Sequence, residues 1–155
     1  MSDEPAEERS SMTAPGASAA RFDHVGLNVA NLAAMTEWYE AAFGYRVQHR
    51  FHLDAIDLRI VMLVDDRGQR FELLQRTGGR PGLRAGTPVE AAVTWGYGHA
   101  CFVVDDLEAA YARLLELGAG PVFHPRPAPE DGVRMAWVHD PEGNLLELIT
   151  PPPAG

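Results

Sequence analysis

Slid against itself by 75 residues, the 155-residue chain matches without a gap, placing His24 on His99, Val29 on Val104, Leu32 on Leu107, Ala34 on Ala109, Val47 on Val122 and His49 on His124. The register holds through Arg59 and Arg134, Asp65 and Asp140, Gly68 and Gly143, Glu72 and Glu147, Leu73 and Leu148, which makes 11 identities over the 50 positions from 24 to 73. Composition alone gives roughly three. A chain with two such copies is expected to fold as two equivalent modules.

Each copy carries the same order of local signals. A period-two stretch, Phe22–Val29 or Tyr97–Val104, reads as a strand. A helix follows. In the first copy Asn31 or Ala30 starts it, Leu32, Met35, Tyr39 and Phe43 form its apolar stripe, and Gly44 ends it. In the second, Asp105 or Asp106 caps it, Leu107, Tyr111 and Leu114 form the stripe, and Gly118 stops it. Three further strands are predicted near 45–51, 58–64 and 69–75, then near 121–124, 134–139 and 144–150, with turns at Asp65–Gly68 and Asp140–Gly143. The fold expected is α+β, two tandem βαβββ modules forming a cleft. Module 1 takes residues 21–76 and module 2 takes 96–151. The Gly- and Pro-rich stretch within 77–95 is read as a linker, a plain surface tether. Residues 1–20, rich in Ser, Ala, Glu and Pro, and the end at Pro151–Gly155 read as flexible tails.

Thirteen Lys and Arg against 22 Asp and Glu leave a net charge of −9, which argues against nucleic acid or an anionic membrane as partner. A single cysteine, Cys101, excludes an internal disulfide and any multi-cysteine zinc site. With no apolar run of membrane-spanning length and an acidic start, the expectation is a cytoplasmic protein.

Four of the repeated side chains, His24, Glu72, His99 and Glu147, can bind a metal and lie in predicted strands. Alternation puts Gly26 and Asn28 on the His24 face and Val25, Leu27 and Val29 on the other. Glu72 lies between Phe71 and Leu73, and Glu147 between Leu146 and Leu148, so each carboxylate projects from an apolar strand and needs a partner. Related by an approximate two-fold, the two His–Glu pairs would converge on one point between the modules. Two imidazoles and two carboxylates suit a divalent ion such as Ni, Co, Zn, Mn or Fe. His49 and His124 either face the cleft or sit at exposed strand starts. Arg46, Arg50, Arg76 and Arg84 are candidates to hold an anionic substrate. Trp38 and Tyr39 read as core, Trp95 precedes the second module, and Cys101 shares the His99 face as an inert buried thiol.

The words Asp23-His24-Val25-Gly26, Phe71-Glu72-Leu73-Leu74, Gly96-Tyr97-Gly98-His99 and Asp140-Pro141-Glu142-Gly143-Asn144 running into Leu146-Glu147-Leu148 resemble the vicinal oxygen chelate superfamily. That superfamily includes glyoxalase I, methylmalonyl-CoA epimerase, extradiol dioxygenases and bleomycin-binding proteins. The resemblance covers about Arg21–Pro151 and implies a glyoxalase-like fold with His24, Glu72, His99 and Glu147 as ligands. It also implies a homodimer, sometimes with each cleft built from two chains. The four-ligand set resembles glyoxalase I and its isomerase relatives, which implies a metal-dependent lyase or isomerase acting on a small carbonyl compound through a metal-bound enolate. The resemblance makes a ligand glutamate, Glu147 or Glu72, the base. The alternatives are an Fe(II) extradiol-type dioxygenase and a non-enzymatic drug-binding resistance protein. Asn28 and Arg76 stand where glyoxalase I has an Arg and an Asn that hold glutathione, so glutathione is not the expected substrate.

Overall fold

The computed structural model describes residues 20–82 and 84–151, so the expected tails lie outside the described residues except for Ala20 and Pro151. The elements are β1 (His24–Asn28), α1 (Leu32–Phe43), β2 (Arg46–Leu53), β3 (Leu58–Val64), β4 (Arg70–Arg76), α2 (Pro88–Ala91), β5 (Ala100–Val103), α3 (Leu107–Glu116), β6 (Gly120–Pro127), β7 (Arg134–His139) and β8 (Leu145–Ile149), with a 3-10 turn at Asp54–Ile56. Each copy is βαβββ, and each makes a four-stranded sheet, in the orders β1-β4-β3-β2 and β5-β8-β7-β6. The first strand of each sheet runs parallel to the last, and the remaining pairs are antiparallel. None of the described helices is long and apolar enough to cross a membrane.

Local chemistry sets the helix limits. Asn31 Oδ1 accepts from the Ala34 amide at the start of α1, and Asp106 Oδ1 accepts from the Ala109 amide at the start of α3, each relieving one unpaired donor of a first turn. Gly44 closes α1 with φ of 71°, a left-handed conformation that a Cβ would strain. The structure departs from the sequence reading at β5, which begins at Ala100 rather than Tyr97. Its parallel partner β8 enters register only at Ala100 opposite Leu146, so residues 97–99 have no strand beside them. β6 runs on to Pro127 because β7 continues to pair with it through two register irregularities. The linker also holds the short helix α2, capped by Thr87 and packed through Ala91 against Trp137 and Leu145.

One core serves both modules. α1 contributes Leu32, Met35, Trp38 and Tyr39, and α3 contributes Leu107, Tyr111 and Leu114. They pack with Val61, Leu63, Phe71 and Leu73 of the first sheet and Ala136, Val138, Leu146 and Leu148 of the second. Phe43 stacks on Phe102 across the module boundary with centroids 4.0 Å apart. Polar contacts fix the same boundary. Trp38 Nε1 donates to Leu117 O at 3.0 Å, and Arg113 donates to Ala41 O at 2.6 Å. The buried Tyr39 hydroxyl donates to Asp140 at 3.1 Å. Burial of the Tyr39 phenol, with the Asp140 carboxylate beside it, raises its pKa well above the usual value.

Candidate metal centre

Because strands alternate, the face of each sheet turned away from the shared core is the face that carries the repeated His and Glu. In β1 the exposed positions are His24, Gly26 and Asn28, while Val25 and Leu27 pack inward. In β4 Phe71 and Leu73 are buried and Glu72 projects outward. Gly26 lies directly opposite Glu72 and leaves room for its carboxylate, since a Cβ there would sit 3.2 Å from Glu72 Oε2. In the second sheet, Leu146 and Leu148 are buried and Glu147 projects outward opposite Cys101 and Trp137.

Each His meets the Glu of its own module. His24 Nε2 lies 3.6 Å from Glu72 Oε2, and His99 Nε2 lies 3.3 Å from Glu147 Oε2. Two donors bound to one dication at about 2.0–2.2 Å stand about 3 Å apart at a right angle, so both pairs have the spacing of neighbouring ligands. The side chains are only partly exposed, at 34% and 20% for the first pair and 39% and 18% for the second, which leaves their donor atoms reachable from solvent. The other nitrogen of His24, Nδ1, lies 2.6 Å from Asp23 Oδ2, the arrangement that fixes the tautomer and aims Nε2 at a metal. Arg70 Nη1 donates to the same Asp23 oxygen at 2.7 Å. These hydrogen bonds, from His24 first and Arg70 second, hold the Asp23 carboxyl below the ordinary carboxylate range. His99 is held differently, with Trp137 edge-on to its ring at 4.6 Å.

The four side chains do not converge within one chain. Among the described residues no group of three or more His, Cys, Asp or Glu is close enough to share an ion. The reason is the shared core: with both helices packed into it, the two ligand-bearing faces of one chain are turned outward separately, whereas the convergence expected from the repeat left open whether the modules that meet belong to one chain or two. His49 lies opposite Met62, itself opposite Glu72, and so stands on the ligand face two strands from the carboxylate. The irregularity in β6 turns its repeat equivalent, His124, the other way, against Tyr111 of α3 at 5.3 Å. Cys101 is exposed rather than buried, and its thiol is pushed up to about 12 by partial burial and by Glu147. Of the four arginine candidates, Arg46 ends the His24 row at the far edge of the sheet and Arg50 lies opposite the core residue Val61. Arg76 donates to Ile56 O and Arg84 rests on Gly143, so none of the four touches a ligand pair. The supporting residues Arg70 and Trp137 have no signal in the repeat, since the matching positions are Leu145 and Met62.

Residues 21–148 match the Glyoxalase/Bleomycin resistance protein/Dioxygenase superfamily, and the chain belongs to that family. A Bacillus subtilis (strain 168) protein, the uncharacterized YwbC, is 25% identical over 133 residues, covering 84% of this chain and 98% of the relative. Among solved structures, a glyoxalase family protein from Enterococcus faecalis superposes with a TM-score of 0.68 at 26% identity, over 83% of this chain and 96% of that one. Glyoxalase I of Leishmania major shares the fold, with a TM-score of 0.63 at 21% identity, over 84% of this chain and 86% of that one.

Proposed function

We propose that this protein is a divalent metal-dependent lyase or isomerase of the glyoxalase or epimerase type, acting on a small carbonyl compound as a homodimer. Its metal site takes His24 and Glu72 from one chain and His99 and Glu147 from a second. The observation that carries this reading is the pair of half-sites, each with an imidazole and a carboxylate at ligand spacing and each opening outward. Half a donor set holds a dication poorly, and a two-fold partner supplies the other half twice over. Apolar exposure supports the same partner. Phe51, Leu53 and Val103 stand exposed on the ligand-bearing faces, and Trp95 and Tyr97, just before His99, are 100% and 98% exposed. Such exposure is costly unless something covers it.

A dication bound to this donor set supplies Lewis-acid polarisation of a carbonyl, which makes the neighbouring proton easier to remove. The chain's own residues do the rest. Asp23 and Arg70 keep His24 in one tautomer, Trp137 fixes the plane of His99, and Glu147 takes the proton from the carbon beside the carbonyl and returns it at the same or the adjacent carbon. Glu72 keeps its place beside His24, with Gly26 giving it room. Protein purified without chelator and analysed for metals tests the reading. One Ni, Co, Zn, Mn or Fe per chain in the wild type, with loss in both His24→Ala and His99→Ala, is the expected result. Metal-free wild type that takes up none of these ions on addition would overturn it. Glu147→Gln should keep the dimer and cut turnover by about a hundredfold or more.

A further inference from the structure

Beside the His99–Glu147 pair the sheet face is apolar and carries one guanidinium. Glu147, Trp137 and Phe123 lie in one row across β8, β7 and β6, each directly opposite the next. Strands lie about 4.8 Å apart, so this row runs on the order of 10 Å away from the carboxylate. The next row on that face brings Arg126 opposite Met135. Trp137 is pinned, its ring edge-on to His99 and its Nε1 directed at Met135 Sδ at 3.5 Å. Trp137 is itself buried, 6% exposed, and packs with Ala91 of the linker helix and Leu145. Phe123 and Met135 remain partly open beside it. The guanidinium carbon of Arg126 lies 5.4 Å from the Phe123 ring centroid, and no carboxylate among the described residues lies within salt-bridge distance of it. A cation seated on an aromatic ring and lacking a counter-ion is a preorganised anion receptor, and the guanidinium fork matches a carboxylate.

We propose that the carbonyl compound handled at this site has a flat apolar body about the size of a benzene ring and an anionic group, a carboxylate, at its far end. The body lies over the open parts of Phe123 and Met135, which the buried Trp137 backs, and Arg126 takes the carboxylate. This inference rests on the metal-site reading given above and adds the shape and charge of the substrate. A short, wholly polar carbonyl compound would leave the Phe123–Met135 surface wet, and a neutral aryl compound would leave Arg126 unused.

The test uses full-length protein loaded with Ni(II) and three hydroxamates as metal-chelating probes, titrated by calorimetry: acetohydroxamate, benzohydroxamate and 4-carboxybenzohydroxamate. Benzohydroxamate should bind about tenfold or more tighter than acetohydroxamate, through burial of the ring. The added carboxylate should gain about another fivefold or more, and Arg126→Gln should abolish that second gain while leaving benzohydroxamate unchanged. Equal affinities for the first two probes, or a carboxylate gain that survives in Arg126→Gln, would overturn the inference while the metal site stood. Wild-type protein that takes up no Ni(II) at all would overturn both readings, and the loading step separates that outcome from the others.

Discussion

Asp23 shows how a ligand is prepared one residue away from itself. A strand cannot aim two adjacent side chains at one point, yet here Asp23, just outside β1, reaches the Nδ1 side of the His24 ring while Nε2 points at Glu72. Arg70, directly opposite His24 on β4, holds Asp23 in turn. Removing such a support typically weakens metal binding by about 10–100-fold. Asp23→Asn should therefore lose metal to a competing chelator at least about tenfold more readily than the wild type, with an unchanged circular dichroism spectrum. Equal retention would mean that Asp23 serves only to pair with Arg70. The sequence makes His24 and Glu72 visible because alternation isolates each on an otherwise apolar strand. Arg70 stays hidden, since only the register places it opposite His24. Cys101, read as buried from the core residues flanking it, is exposed because those neighbours face the core while its own face is the open one.

At the level of elements, the two copies are alike in topology and unlike in what their turns do. The Asp140–Gly143 turn of module 2 reaches α1, where both Glu142 oxygens accept from backbone amides, Ala30 and Asn31, at 2.7 Å each. The matching position in module 1 is Arg67, which cannot accept, so the second helix has no equivalent cap from across the boundary. Charge-assisted bonds of this kind contribute about 1.5–3 kcal/mol each when partly desolvated, and less where water competes. Glu142→Ala should lower stability by about 1–2 kcal/mol, read as a lower urea midpoint with an unchanged slope. Arg67→Ala, the matching change, should leave the midpoint within about 0.5 kcal/mol. The strand limits were legible in β3 and β7, and illegible where pairing stopped early, as at Tyr97–His99, or ran on through register irregularities, as in β6 to Pro127. The linker helix had a signal in Thr87-Pro88-Val89-Glu90, an N-cap followed by proline and an acid. Four residues are too few for a period to show.

For the whole molecule the decisive question is which module faces which. The repeat predicts a two-fold between modules but says nothing about whether the modules that share a metal belong to one chain. Within the chain, α1, α3 and the inner faces of both sheets form one core and the ligand faces look outward, which is the packing the proposed shared site builds on. Mixing two inactive variants tests the arrangement directly. If each site takes one His–Glu pair from each chain, a heterodimer of His24→Ala with His99→Ala has one site lacking both histidines and one site intact. Chains unfolded together in equal amounts and refolded should form such heterodimers half the time, so about a quarter of wild-type metal binding and turnover should return from two preparations that have none. If each site were built within a single chain, every site in the mixture would lack a histidine and nothing would return. Because half of the sites in a heterodimer are doubly defective, a recovery well above a quarter would also count against the shared site, since it would require a metal held by fewer than four of these donors.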